Sequence, residues 1–134
     1  MKEIHELHFP DTVRYARDHE WARQENDIIV VGISDYAQDQ LGDITFVELP
    51  QEGDFFEKGE EFGTLESVKA VSEVFMPVAG EIVAINGELG ESPGLVNEDP
   101  YGAGWLIQVR PTDATDFENL MSPGEYTDML RGLE

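Results

Sequence analysis

Residues 61–75 carry the most telling alternation in the chain. Glu61-Phe62-Gly63-Thr64-Leu65 has strand-type residues, and Val71-Ser72-Glu73-Val74-Phe75 alternates apolar with polar at period two. Between them lies Glu66-Ser67-Val68-Lys69-Ala70. The pattern predicts two strands with Lys69 at or near the tip of their hairpin, its amine clear of the body. Upstream, residues 13–24 read as one strand containing His19-Glu20-Trp21, and Glu25-Asn26-Asp27 reads as a turn. Ile28-Ile29-Val30-Val31 is a β-branched run suited to a buried strand. Ser34 is placed to cap a short helix over residues 35–41, with Gly42 supplying the left-handed residue after its end. Residues 44–49 give a further strand, closed by Pro50 and the Glu52-Gly53-Asp54 turn.

Two similar segments flank the lysine hairpin. Gly53-Asp54-Phe55-Phe56-Glu57-Lys58-Gly59 leads into the strand before Lys69, and Gly80-Glu81-Ile82-Val83-Ala84-Ile85-Asn86-Gly87 holds the corresponding place after it. Periodicity alone therefore predicts an all-β sandwich or barrel. After Pro111 the pattern becomes helical. Residues 113–121 form one short amphipathic segment, and Ser122-Pro123-Gly124-Glu125 supplies a cap, a proline at the first helical position and a glutamate at the third. Tyr126, Met129 and Leu130 share one face of that last helix, so residues 112–132 are expected to pack on the β domain as structure. Residues 1–12 are expected to form a loosely held N-terminus, leaving 13–134 as a single domain.

Composition narrows the function. The chain has 134 residues, 40% of them hydrophobic, enough for one domain with a real core. It contains no cysteine, so neither a disulfide nor a thiolate metal site is available. His5, His8 and His19 do not have a metal-ligand spacing, and no metal is expected. Twenty-nine acidic residues oppose eight Lys and Arg, for a formal net charge of -21. Such a charge excludes nucleic acid and anionic membrane surfaces as partners, and salt would screen its self-repulsion. Adaptation to a salty cytoplasm explains an excess spread along the chain better than an acidic docking face does. No apolar run reaches the length of a membrane span and no signal-peptide core opens the chain, so a cytoplasmic location is expected.

Against that background Lys69 stands out, because the only other lysines are Lys2 and Lys58. By itself it could be a solvated turn lysine. The residues around it decide otherwise. Gly32-Ile33-Ser34-Asp35-Tyr36-Ala37-Gln38, Leu41-Gly42-Asp43, Phe46-Val47-Glu48-Leu49-Pro50, Glu66-Ser67-Val68-Lys69-Ala70, Asn97-Glu98-Asp99-Pro100-Tyr101-Gly102 and Gly104-Trp105-Leu106-Ile107 follow in order. From about Val13 to the C-terminus the chain resembles the H-protein family of the glycine cleavage system, a lipoyl carrier. The resemblance implies a mainly β fold, the flattened lipoyl/biotinyl-type barrel-sandwich hybrid in which two halves interlock by pseudo-twofold symmetry. A short internal helix and C-terminal helices accompany it.

It also implies a chemistry. (R)-lipoate would be attached covalently to Lys69, turning a hydrated ammonium with no redox chemistry into a neutral amide on a long arm. In the family the arm accepts the aminomethyl group of glycine from a glycine decarboxylase (P-protein). It delivers that group to an aminomethyltransferase (T-protein), and a dihydrolipoamide dehydrogenase (L-protein) reoxidises it. The carrier has no turnover of its own and is not an enzyme. A lipoate-attaching enzyme completes the set of partners; in such domains a glutamate three residues before the lysine and a glycine eleven after it, here Glu66 and Gly80, are associated with its recognition. Gly80 has an alternative reading as a turn glycine with positive φ. Alignment with the family's motifs makes Glu20 the leading candidate to stabilise the aminomethyl-bearing arm in a surface cleft, with Gln40 and Glu73 behind it. Relatives can hold histidine at the position of Gln40, and any of these acids can instead be solvated surface.

Two other carriers compete. A lipoate-distribution protein serving other complexes has nearly the same sequence requirements. A biotin carrier usually places methionine on both sides of its lysine, unlike Ser67-Val68-Lys69-Ala70.

Overall fold

The structure is a computed structural model in which residues 2–133 are described. Among the described residues, nine strands form two antiparallel sheets. The first contains β1 (Arg14–Tyr15), β2 (Glu20–Glu25), β3 (Ile28–Ile33), β9 (Ile107–Pro111), β8 (Gly80–Ile85) and β5 (Phe55–Phe56), in that spatial order. The second contains β4 (Ile44–Glu48), β6 (Glu61–Ser67) and β7 (Val71–Phe75), with β6 in the middle. The mainly β fold expected is present as two sheets around a common core rather than as a closed ring of strands.

Period-two alternation decides which side chains enter that core. Ala22, Ile29, Val31, Ile33, Ile82, Ile107 and Val109 from the large sheet meet Ile44, Phe62, Leu65 and Val74 from the small one. The opposite face of the large sheet is not left to solvent. Trp21 and Val30 point to that side, where Tyr126 and Leu130 of α4 (Pro123–Arg131) cover them together with Ile4, Val13 and Tyr15. This double cover is why β3 reads as an unbroken β-branched run. Each such fully buried apolar side chain contributes roughly 1.5–3 kcal/mol.

The capping reading holds at both long helices. Ser34 Oγ accepts the Ala37 N–H at the start of α1 (Asp35–Leu41), and Gly42 follows its end at φ 78°. Ser122 and Glu125 close a capping box at α4, with Pro123 at the first helical position.

Three expectations meet a different structure. Residues 13–24 are two strands, not one: the His19 N–H donates to the Ala16 carbonyl, and His19 adopts φ 78°. This is a three-residue hairpin loop ending in a left-handed residue, a place usually taken by glycine, so Ala16-Arg17-Asp18-His19 gives little turn signal. The segment read as a helix over 113–121 is helical only as α3 (Thr115–Glu118). Of the N-terminal residues expected to be loose, Met1 lies outside the described residues and the others are fastened to the domain at several points. Ile4 is buried, the Lys2 N–H donates to Asp39, and the His8 N–H donates to Asp35.

The stretch Asn97-Glu98-Asp99-Pro100-Tyr101-Gly102, which begins in α2 (Leu95–Glu98), fastens these layers. Asn97 Nδ2 donates to the Gly42 carbonyl at 2.8 Å and to Gln38 Oε1, while its Oδ1 accepts the Ile44 N–H at 2.9 Å. The Pro100 carbonyl accepts the Trp21 indole N–H, and Tyr101 Oη accepts the Asp35 N–H while donating to the His8 carbonyl. One loop thus fixes the turn between α1 and β4, directly beneath Lys69.

Candidate functional site

Lys69 sits where the alternation placed it, in the turn joining β6 to β7. Ser67 makes that turn compact: its N–H donates to the Ala70 carbonyl at 2.8 Å, and its Oγ accepts the N–H groups of Lys69 and Ala70. Local side-chain-to-backbone bonding of this kind favours turns over continued strand. The flanking Val68 and Val71 are 73% and 65% exposed. The tip thus protrudes with two apolar shoulders. Glu66 lies one pair back along the hairpin, opposite Val71 on one side and Phe46 on the other.

The Lys69 side chain does not point straight outward. A Cβ at Gly42 would stand 3.4 Å from Lys69 Cε and 3.9 Å from Nζ, so the arm lies across the glycine that ends α1. The positive φ of Gly42 is what calls for glycine here, since a Cβ would meet Lys69 only at ordinary contact distance. The ammonium also rests near the partly negative end of a helix.

From Gly42 the same helix leads to a cavity of about 240 Å³. Tyr36, Ala37, Gln40 and Leu41 line it from α1, and Leu65, Ser72, Glu73 and Val74 from the small sheet. Asp18, His19 and Glu20 form the remaining wall. Three residues that the sequence scatters over more than fifty positions, Glu20, Gln40 and Glu73, thus meet around one space.

Glu20 is the unusual member. It is only 1% exposed, although it is a carboxylic acid. Its Oε2 accepts the Phe75 N–H at 3.1 Å, and its Oε1 has no partner among the described residues. Burial pushes its pKa up to about 8, an effect that the Phe75 N–H partly opposes and nearby Asp18 reinforces. A buried carboxyl with one free oxygen is costly unless something arrives to satisfy it. A cation would do so best. Glu73 and Gln40 are exposed at the rim. On its other side Glu20 borders a second cavity of about 260 Å³, with Arg17 and Lys58 among its lining. The first cavity is lined by Leu41, next in the chain to the Gly42 over which the Lys69 side chain lies.

Gly80 is not at this site. It opens β8 in the other sheet, opposite Phe56 and Pro111, and its φ is not positive, so the turn-glycine alternative is set aside. A Cβ there would collide with the Arg110 carbonyl oxygen and Val109. Only glycine lets β8 and β9 approach so closely.

Sequence reasoning considered His19 only as a metal ligand and overlooked Tyr36. The helical spacing of Tyr36 and Gln40 (i, i+4) was a usable signal for the second. Nothing local marked His19 as a cavity residue.

The family model described as glycine cleavage H-protein matches residues 13–132. A glycine cleavage system H protein of Bacteroides fragilis is 54% identical over 120 residues, covering 90% of this chain and 95% of that one. A probable glycine cleavage system H protein of Natronomonas pharaonis is 52% identical over 117 residues, covering 87% and 92%. Among solved structures, a crystal structure of such a protein from Mycobacterium marinum superposes with a TM-score of 0.85 at 36% identity, covering 92% of this chain and 99% of the other.

Proposed function

This chain belongs to the glycine cleavage H-protein family, the non-catalytic lipoyl carrier of that system, and from this we propose that Lys69 bears (R)-lipoate as an amide on Nζ. The observation that carries the proposal is an accessible lysine lying over the end of the helix that lines, with Tyr36, Ala37, Gln40 and Leu41, a cavity walled by a buried carboxyl with a free oxygen. The fit is chemical as well as spatial. The lysine is presented on a tip that an attaching enzyme can enclose, and the cavity offers an acid to a cationic cargo.

When bound, the dithiolane supplies the redox and group-carrying chemistry, taking up the aminomethyl group of glycine. The chain's own residues do the rest. Glu20 holds the cationic amine by a charge-assisted hydrogen bond in a site shielded from bulk water. Glu73 and Gln40 guard the rim, where Glu73 adds negative potential and Gln40 a hydrogen-bonding amide. Leu41, Leu65 and Val74 cover the apolar part of the arm. Glu66 lies on the hairpin surface that the lipoate-attaching enzyme reads. Gly80 contributes indirectly, by keeping β8 and β9 in register.

The partners follow from the same assignment: a glycine decarboxylase, an aminomethyltransferase and a dihydrolipoamide dehydrogenase, in the cytoplasm, each taking the Lys69 arm in turn. Intact mass spectrometry and peptide mapping of protein from its native host test the core of the proposal. Lipoyl on Lys69 alone is expected; lipoyl on Lys58, or none on Lys69, would overturn it.

A further inference from the structure

His19 belongs to the wall of the arm cavity, yet its ring is held from behind by a buried polar chain that ends in the C-terminal helix. His19 Nδ1 is 2.8 Å from Tyr126 Oη, and Tyr126 Oη is 2.7 Å from Ser34 Oγ. Tyr126 and Ser34 are both fully buried. Proton accounting sets the direction of this chain. Ser34 Oγ already accepts the Ala37 N–H, and among the described residues its own hydrogen has one acceptor in reach, Tyr126 Oη. Burial pushes the Tyr126 phenol up, so it keeps its proton and donates it onward. The acceptor is then His19 Nδ1. The reverse order, with Nδ1 protonated, would strand the Ser34 hydroxyl hydrogen in a buried site, which native structures avoid.

The backbone adds rigidity. His19 is held at φ 78° by its N–H bond to the Ala16 carbonyl and by the Ser34 N–H on its own carbonyl, and its ring lies 5.0 Å from that of Tyr36. Its Nε2 has no partner among the described residues, and the residue faces the cavity beside Glu20.

We propose that α4, through Tyr126 and Ser34, fixes His19 as the neutral Nε2–H tautomer, so that it presents a hydrogen-bond donor to the arm cavity beside the Glu20 carboxyl. The pair then recognises a particular ligand class: a primary ammonium, bound by Glu20, with a hydrogen-bond acceptor such as a sulfur lone pair next to it, bound by His19. A neutral donor suits this task because an imidazolium would repel the ammonium. Tyr126 is a positioning residue, acting only through His19. The ligand half of the inference rests on the assignment of the cavity to the lipoyl arm; the tautomer half does not.

The first test uses the full chain, unmodified and labelled with 15N-histidine, in a long-range 1H–15N correlation at neutral pH. A deprotonated Nδ1 and protonated Nε2 are expected for His19. Tyr126→Phe, which keeps the ring stacked on Tyr15, should give a mixture of tautomers. An Nδ1–H tautomer in the parent chain, or an unchanged tautomer in Tyr126→Phe, would overturn the relay. The second test follows loss of the amine from the lipoylated, aminomethyl-loaded chain. His19→Asn, chosen because asparagine tolerates the left-handed turn, should accelerate loss severalfold, and Tyr126→Phe less. Unchanged loss in His19→Asn with faster loss in Glu20→Gln would overturn the role of His19 and spare the cavity. Unchanged loss in both would overturn the cavity assignment itself, whatever the tautomer.

Discussion

Lys69 and Glu20 occupy opposite environments in one small domain. The lysine is exposed on a hairpin tip between two exposed valines; the glutamate is walled in, with one oxygen unpaired. The lysine owes its setting to residues within three positions of itself, chiefly Ser67 and Ala70. The glutamate owes its setting to α1, β7 and the β1–β2 turn together. A carrier needs both: an attachment point that other enzymes can reach, and a retreat from water that they cannot. Combining them at one residue is physically impossible, so a flexible arm must join the two.

Replacing Lys69 should give the largest effect, because it removes one side of this contrast entirely. Lys69→Arg keeps charge and length but cannot form the amide. Mass spectrometry should find no lipoylation, coupled glycine cleavage assays should show no carrier activity, and the thermal midpoint should stay within a degree or two of the parent, since an exposed turn side chain contributes little. A large drop in the midpoint would mean that the Lys69–Gly42 contact is structural.

Glu20→Gln probes the other side. In the folded chain Glu20 keeps its proton up to about pH 8, whereas its unperturbed value is 4.5. Between those two values the unfolded state binds fewer protons than the folded one, so stability should fall as pH rises through this window. At about 1.4 kcal/mol per pH unit the loss attributable to Glu20 is on the order of several kcal/mol. Glu20→Gln should therefore flatten the stability–pH profile from 4.5 to 8 and be the more stable chain at high pH, while loaded arms lose their amine faster. Urea melts across that range decide the first point. A slope that survives the substitution would place the titration elsewhere. Loading should also lower the Glu20 midpoint, since an ammonium nearby favours the carboxylate.

Salt should separate the exposed region from the buried one. Among the described residues, ion pairs form at Arg23–Glu25, Arg110–Glu81 and Arg131–Asp128, leaving most of the 29 acids without a countercharge. The Debye length shrinks from about 30 Å at 0.01 M to about 3 Å at 1 M, so surface repulsion is relieved while desolvation of Glu20 is not. The thermal midpoint should rise by several degrees between 0.1 M and 2 M KCl, with the Glu20 midpoint nearly fixed. Coincident melts would favour docking to basic partners as the reason for the acidity.

The smallest effect is expected at Ser122→Ala. Losing the cap of α4 should cost about 1 kcal/mol, measurable by urea denaturation, with lipoylation of Lys69 unchanged. Impaired lipoylation would mean that the hairpin and α4 are coupled in a way the contacts do not reveal.

What the sequence determined by itself was whatever short-range chemistry controls. The hairpin around Lys69, the Ser34 and Ser122 caps and the left-handed Gly42 each depend on neighbours a few residues away, and each was legible, as was β3 as a buried strand from its own β-branched run. The family motifs added the function. The β1–β2 turn was not legible, because His19 holds a conformation that its residue type does not advertise and that Ser34 and Ala16 impose across the sheet. Gly80, associated with lipoylation by resemblance, also had a reading as a turn glycine, which the approach of the Arg110 carbonyl replaced with a packing role. Only the tertiary structure decided that Glu20 is the one acid enclosed among the described residues. Burial is a property of what packs around a side chain, and three separate segments had to close on Glu20 before its charge became costly and therefore useful.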